Sequence, residues 1–397
     1  MTSEIPPTPR RRRGSLLLVA LIAFALLTTF VLVCMVLPTM PNAGLFAVSV
    51  FAYSYNPFLL VFAAIGVVLL LVALLRRRRV IATVAAALTA AVLVAVIVPT
   101  EQLATASADN DVQLSVARLF QGPEGGLDAP SLTTTYATVD GDDLKMDVWQ
   151  PQNQDDAARA AMVYVYGGGF SSGTREQWAP YFQHLTSLGI TVFSMDYRLS
   201  TPDEPSWTKA AGDVKCAVGW VHANADEYGI DESRIAISGG SAGGNLAMMA
   251  AYSADSDEVE PSCDTADSSV RAVVDYYGPP DLAELYSGTP SAAVADSLEQ
   301  YLGTTPDENA ERYSLMSPET YVDENSPATL IIQGTRDTGV QSSLSVDLAA
   351  QLDDAGVPNE LLLLPATEHG FDAVYGGFAN QIAQARVDRF LQQYLIG

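Results

Sequence analysis

The chain has 397 residues, 49% of them apolar, with 46 acidic against 21 basic side chains, three cysteines and three histidines. A net charge of −25 beside a mean hydropathy of +0.17 places charge and apolarity in different parts of the chain: eight basic residues and a single acid, Glu4, precede position 100, which leaves 13 basic residues against 45 acids from Glu101 onward. So acidic a remainder repels phosphate backbones and excludes nucleic-acid binding, three cysteines exclude a disulfide-stapled miniprotein, and three histidines leave little for a metal centre.

Arg10 to Arg13 precede an unbroken apolar run from Leu16 to Leu37. At ~1.5 Å per residue such a run spans ~33 Å as a helix, enough to cross a hydrocarbon core of ~30 Å. A second run covers Phe58 to Leu75, with an apolar stretch from Leu45 ahead of it that Asn56 and Pro57 interrupt. Arg76 to Arg79 close it, and Val80 to Val98 forms a third. The expectation is a membrane anchor over 16–98 with spans 16–37, 58–75 and 80–98, preceded by a cytoplasmic N-terminus over 1–15. With both arginine blocks on the cytoplasmic side, the 38–57 segment and everything after Pro99 are extracytoplasmic. A cleaved signal peptide is the competing reading of the first run. Its length, the lack of a small-x-small cleavage site and the two further spans count against that. Tyr53 and Tyr55 suit an interfacial belt. Residues 99–130, rich in Ala, Ser, Asp, Gly and Pro, read as a linker, with a short helix between Val112 and Gln121.

From 131 to 397 the pattern alternates. Strand-like runs fall near 133–140, 144–149, 161–166, 190–195, 234–238, 271–277, 328–333 and 359–364, the first pair joined as a hairpin through Asp140-Gly141-Asp142-Asp143. Helical segments fall at 177–188, 208–228, 242–254, 341–355 and 378–395. The later strands are nearly all apolar, as strands covered on both faces are, so the expected class is α/β: a mostly parallel sheet flanked by helices. The interval 281–326 has weak periodicity and reads as an insertion or lid.

Four turns concentrate the chemistry. The run 234–238 enters Gly239-Gly240-Ser241-Ala242-Gly243-Gly244-Asn245 and then a helix former. That strand–turn–helix setting gives a Gly-x-Ser-x-Gly match its meaning: a strained turn exposes the serine, and the helix N-terminus favours developing negative charge. Tyr166-Gly167-Gly168-Gly169-Phe170 follows another strand, and three glycines are expected where a chain passes within hydrogen-bonding reach of a ligand. The N–H groups of Gly168, Gly169 and Ala242 are candidates for an oxyanion hole. Asp337 follows the 328–333 strand, where such sheets place working residues, although capping the 341–355 helix is an alternative role. His369 lies in the loop after 359–364, whereas His184 and His222 fall within helices.

The order Ser241, Asp337, His369, each after a successive strand, is that of one hydrolase architecture. Residues 130–397 resemble an α/β-hydrolase of the hormone-sensitive-lipase-like and acetyl-esterase-type carboxylesterases. The resemblance rests on Tyr166-Gly167-Gly168-Gly169-Phe170, Asp196-Tyr197-Arg198-Leu199, Gly240-Ser241-Ala242-Gly243-Gly244-Asn245, the Asp337 loop and His369-Gly370-Phe371. Tyr166 stands where the family has a histidine, and Gly240 where it commonly has an acid. The resemblance implies a Ser241–His369–Asp337 triad, an acyl-enzyme and no metal or organic cofactor. The expected substrate is a carboxylic ester, acyl or acetyl; in the sharper reading, which the membrane anchor suggests, it is an envelope lipid or glycolipid, and in the weaker one the chain is a broad short-chain carboxylesterase. The alternative is an acyltransferase delivering the acyl group to carbohydrate or lipid hydroxyls; a peptidase and a silent scaffold are further readings. Phe170, Trp178, Trp207, Tyr276, Tyr277 and the insertion are candidates for an acyl pocket. Cys216 and Cys263 both belong to the outer domain and could pair in an oxidising compartment, while Cys34 in the first span reads as a small apolar residue. Oligomeric state and protein partners leave no trace in the sequence.

Overall fold

A computed structural model describes residues 12–37, 43–122, 129–152, 159–289 and 291–397. Arg10 and Arg11 of the first basic block, and Pro290 of the insertion, lie outside these residues.

The N-terminal part is a helical bundle: α1 (Arg12–Val36), α2 (Ala43–Ser54), α3 (Leu60–Leu75) and α4 (Arg79–Asp109). Among the described residues, three helices long and apolar enough to cross a membrane run over Leu16–Val36, Asn56–Leu75 and Arg79–Asp109. Their packing inverts that of a water-soluble bundle. Small and polar residues such as Ala63, Gly66, Ala73, Ala85 and Thr89 face inward, while Leu16, Leu75 and Val80 face outward. Between helices in lipid, attraction comes from close backbone approach. A Cβ at Gly66 would sit 2.1 Å from Thr89 Oγ1, so α3 and α4 meet at a distance that glycine alone permits. Asn56 and Pro57 break the second apolar run into α2 and a 3₁₀ turn, Asn56–Leu59, that leads into α3. The break is stabilised by the Asn56 amide, which donates to Ala95 O at 2.8 Å.

Two expectations for the following segment are corrected. The third helix does not stop at Val98 but runs through Pro99 to Asp109, because the residues after the proline (Glu101-Gln102-Leu103-Ala104) are strong helix formers. The expected linker over 99–130 is therefore docked rather than free as far as residue 122. Leu103 belongs to the hydrolase core, Ser115 exchanges two hydrogen bonds with the Gln381 side chain (2.8 and 2.9 Å), and Arg389 donates to Asn110 O at 2.7 Å. The short helix expected between Val112 and Gln121 is a single 3₁₀ turn, Ala117–Phe120. Residues 123–128 lie outside the described residues.

Eight strands follow: β1 (Leu132–Val139), β2 (Asp142–Trp149), β3 (Arg159–Val165), β4 (Thr191–Met195), β5 (Ile230–Gly240), β6 (Ala272–Tyr276), β7 (Ala328–Gly334) and β8 (Asn359–Leu364). They form one sheet in the order β1-β2-β4-β3-β5-β6-β7-β8. Only the β1–β2 and β2–β4 pairings are antiparallel. Asp140 and Gly141, both at positive φ, make the tight turn between β1 and β2, whose twist matches that of the strands. Helices α5 (Ala179–Ser187), α6 (Ala210–Ala223), α7 (Ala225–Tyr228) and α8 (Ala242–Tyr252) accompany the first half of the parallel part. The bond between Cys216 on α6 and Cys263 (Cα–Cα 5.6 Å) ties that helix to the stretch after α8.

The 281–326 interval holds three helices that its weak periodicity did not announce: α9 (Leu282–Gly288), α10 (Ala292–Leu302) and α11 (Ala310–Leu315). α9 and α11, of 7 and 6 residues, are too short to show a full apolar stripe. Asp281 caps α9 by accepting from Ala283 N and Glu284 N, and Asn309 caps α11 by accepting from Arg312 N. Helices α12 (Ser342–Asp354) and α13 (Phe378–Leu391) complete the domain. The carboxyl ends of β3, β5, β7 and β8 lie along one edge of the sheet, so the loops carrying Gly168, Ser241, Asp337 and His369 converge there.

Candidate active site

Ser241 sits between β5 and α8 at φ 57°, ψ −126°, a conformation that costs an L-residue strain and persists where the surroundings enforce it. Glycines clear the space. A Cβ at Gly239 would meet Gly243 O at 2.3 Å, one at Gly243 would meet Val165 O at 2.2 Å, and one at Gly167 would meet Gly240 O at 2.4 Å. Tyr276 O holds the turn from the neighbouring strand, accepting from Ser241 N at 2.9 Å.

His369 Nε2 lies 2.8 Å from Ser241 Oγ, and His369 Nδ1 lies 2.8 Å from Asp337 Oδ2. A carboxylate only accepts, so the proton of a neutral imidazole resides on Nδ1 and Nε2 is left to accept from the serine hydroxyl. Asp337 is itself fixed. Its Oδ1 accepts from Gly339 N (2.8 Å) and Val340 N (2.7 Å), and its Oδ2 also accepts from the buried Gln333 amide at 2.9 Å. Asp337 thus shapes its own turn, while Gln341 occupies the cap position of α12. Burial opposes charging the imidazole, but the carboxylates of Asp337, Glu368 and Asp372 outweigh it, and the net effect holds His369 above its ordinary value of 6.5.

Two participants in this neighbourhood, Glu368 and Asp372, escaped the sequence reading, and Tyr277 has contacts here beyond the pocket-lining place expected of it. Glu368 is buried and bridges the two loops: its Oε1 accepts from Thr338 N at 2.6 Å and from His369 N at 3.1 Å. Its Oε2 accepts from the hydroxyl of Ser49, on α2 of the N-terminal bundle, at 2.9 Å. Burial, followed by the charge of Asp337, pushes the Glu368 carboxyl above its usual range. Tyr277 packs its ring against His369, tilted by 55° with ring centres 4.5 Å apart, and donates to Asp372 Oδ1; burial pushes Asp372 up to about 6. Gly240, where the resembled family carries an acid, brings the position a Cβ would occupy within 3.3 Å of the Tyr277 hydroxyl, so the tyrosine takes the room of that side chain.

The glycine loop is held as firmly. Gly168 O accepts from the backbone N–H groups of Ser171 and Ser172, and Gly169 O accepts from the Ser297 hydroxyl at 2.7 Å, so both carbonyls are occupied. Tyr166, in the family's histidine position, stacks on Tyr197 at 4.6 Å, and the Tyr197 hydroxyl donates to Tyr166 O at 3.0 Å. Arg198 grips Asp213 through Nη2 at 2.7 Å. The Asp196-Tyr197-Arg198 run is therefore scaffolding for the glycine loop.

Gly168, Gly169, Ser241, Ala242 and His369 all border one cavity of about 690 Å³, within the ~300–1,000 Å³ usual for small-molecule sites. Phe170, Trp178, Tyr276 and Tyr277 line it as expected, together with Leu285, Val294 and Leu298 of the insertion. Trp207 does not; Arg312 covers its ring at 4.5 Å. His184 pairs with Asp388 at 2.7 Å, and His222 bonds Ser269 O at 2.9 Å.

Sheet order, strained serine turn and loop placement together define an α/β-hydrolase fold. The BD-FAE family model matches residues 146–352, just over half of the chain, and the chain belongs to that family. The match includes Ser241 and Asp337 and ends before His369. Esterase LipQ of Mycobacterium tuberculosis is 31% identical over 247 residues, covering 61% of this chain and 58% of LipQ. Ethyl acetate hydrolase of Pseudomonas putida is 28% identical over 253 residues, covering 60% of this chain and 74% of that protein. This chain thus spans less than two thirds of LipQ. Among solved structures, the propionate-bound esterase 2 of Thermogutta terrifontis superposes with a TM-score of 0.56 at 27% identity, over 66% of this chain and 93% of that one. These likenesses bear out the family resemblance carried by the motifs.

Proposed function

We propose that this chain is a membrane-anchored serine esterase that hydrolyses carboxylic esters outside the cytoplasmic membrane, with an acylated envelope lipid or glycolipid as its substrate. The observation that carries the reading is His369 standing 2.8 Å from both Ser241 Oγ and Asp337 Oδ2 at the wall of an apolar cavity. His369 Nε2 takes the Ser241 proton as Oγ attacks the ester carbonyl. Asp337 holds the Nδ1 proton and stabilises the imidazolium. The N–H groups of Gly168, Gly169 and Ala242 receive the developing oxyanion; each such donor is worth ~2.7–4 kcal/mol in the transition state. The imidazolium then protonates the leaving alcohol, and water deacylates Ser241 by the same steps.

The placement outside the cytoplasm follows from charge. Arg76–Arg78 lie between α3 and α4 and Arg79 opens α4, at the opposite end of that helix from Asn110, which Arg389 of the hydrolase contacts, and basic residues favour the cytoplasmic side. The proposed organisation is a cytoplasmic N-terminus, a three-span anchor and a catalytic domain whose lid lies within 281–326. Relatives with esterase names support the reaction class, as does esterase 2 of T. terrifontis, whose structure is described as phosphonylated by sarin. The test is labelling by a fluorophosphonate probe together with hydrolysis of a 4-nitrophenyl ester. Both are expected in the full chain and absent from Ser241→Ala; labelling that survives the substitution refutes the assignment.

A further inference from the structure

The wall of the cavity is not built by the hydrolase alone. Val50, in the middle of α2, lines it and approaches the position a Cβ on Gly370 would occupy to 3.9 Å. Its two neighbours on the helix face other surroundings. Ser49 is buried against Glu368, and Phe51 is 61% exposed. The dock around them is polar and specific: Arg336, one residue before Asp337, donates to Met35 O at the end of α1 at 2.7 Å, and the Tyr53 hydroxyl donates to the same carbonyl at 2.7 Å. Tyr53 is thus spent on the dock rather than on an interfacial belt. From Phe51 a ladder of rings continues outward. Phe51 and Tyr55 are 4.6 Å apart, Tyr55 and Phe58 5.7 Å, and Phe58 and Phe120 5.3 Å. Phe120 is 71% exposed. This ladder lies where α1 ends and α3 begins, the level at which aromatic residues meet the headgroups of a bilayer. Close by, the Arg118 carbonyl abuts Gly376, next to Tyr375 of the cavity wall.

We infer that α2 is part of the substrate site: it admits the acyl chain of a bilayer-resident ester past Val50, from the headgroup level directly to Ser241. The inference rests on the esterase reading and narrows its substrate to a membrane amphiphile. An acyl chain taking this route passes from lipid to an apolar cavity without entering water, so its extraction does not forfeit the hydrophobic transfer energy. A soluble ester needs neither α2 nor the ring ladder.

The test uses the full chain reconstituted in vesicles of diether phosphatidylcholine, which offers no ester of its own, with 4-nitrophenyl acetate in solution and 4-nitrophenyl palmitate dissolved in the same bilayers. Val50→Trp, checked for an assembled site by fluorophosphonate labelling of Ser241, is expected to lower the palmitate-to-acetate ratio of kcat/KM at least tenfold. In the unaltered chain, diluting the palmitate ester with further diether phosphatidylcholine, which has no carboxylic ester bond, at constant bulk concentration is expected to slow its hydrolysis in proportion to its mole fraction. This second measurement needs no variant to fold. A palmitate rate that follows bulk concentration, or a ratio unmoved by Val50→Trp, overturns the inference and leaves the esterase reading standing. An unaltered chain that cleaves neither ester overturns both.

Discussion

The two halves of the molecule use the same apolar residues in opposite senses. In the hydrolase, Val163, Phe193, Ile237 and Ile331 are wholly buried in the sheet, while in the bundle Leu16, Leu75 and Val80 are 69%, 85% and 77% exposed. The sheet's faces are covered by the domain's own helices; the bundle's outer surface is apolar, as in helices long and apolar enough to cross a membrane. What holds each half together differs accordingly. The hydrolase relies on apolar burial, a disulfide and ion pairs such as Arg198–Asp213; the bundle relies on contacts such as Gly66 against Thr89. Yet the halves meet at the reactive edge of the sheet, through Ser49, Val50 and Arg336. Substitutions can therefore separate a hydrolase that merely hangs from an anchor from one whose site includes it.

The largest effect belongs to the hydrolase alone. Ser241→Ala is expected to lower kcat by about 10⁶-fold, as loss of the nucleophile does in serine hydrolases, with thermal unfolding changed little; stopped assays on the full chain read the first and calorimetry the second. Next comes the partner of the imidazole. Asp337→Asn is expected to cost about 10⁴-fold in kcat, and its pH profile gives the sign. Neutral His369 is the working form, and its carboxylate neighbours hold its pKa above 6.5. Activity should therefore fall as pH drops through a midpoint above 6.5, and in Asp337→Asn that midpoint should move down. A midpoint that stays in place assigns the titration to another group.

A third change weakens the hydrolase without touching its chemistry. The Cys216–Cys263 bond closes a segment of 47 residues that contains Ser241. Replacing both cysteines by alanine is expected to cost about 2–4 kcal/mol of stability, read as a lower midpoint of denaturant unfolding, with kcat at 25 °C nearly kept. In the bundle, Gly66→Leu drives a side chain into Thr89 and Phe24 and is expected to cost about 1–3 kcal/mol as overpacking does. The readout is looser α3–α4 contact in cysteine crosslinking within vesicles.

How much of this was legible in the sequence follows the range of each contact. The serine turn is local: a strand, two glycines, serine, two more glycines and a helix occupy one short stretch, and the loops bearing Asp337 and His369 each follow an apolar run. The strand–helix alternation is legible for the same reason. Glu368 carried no such signal, because its meaning lies in Ser49, 319 positions away, and in the Asp337 loop. Tyr277 and Asp372 meet across 95 positions. Pro99 misled in the other direction, since a proline at the head of a stretch that turns rich in Ala, Ser and Asp reads as the end of a helix, yet the helix formers that follow it carry α4 on to Asp109. The insertion was obscured by the shortness of α9 and α11.

The smallest expected effect is the sharpest on the relation between the halves. Ser49→Ala removes one hydroxyl from α2, far from the reacting atoms, and leaves Glu368 with its bonds to Thr338 and His369. If the anchor only tethers, turnover is unchanged. If α2 braces the loop that carries His369, losing a buried hydrogen bond of about 1 kcal/mol lowers kcat by at most about fivefold, with KM for a soluble acetyl ester nearly constant. A structural weakening of the bundle would lower the labelled fraction instead and leave kcat per labelled site unaltered. Ser49→Thr keeps the hydroxyl and should restore turnover, so a deficit shared by both variants assigns the loss to packing at α2 and not to the bond with Glu368.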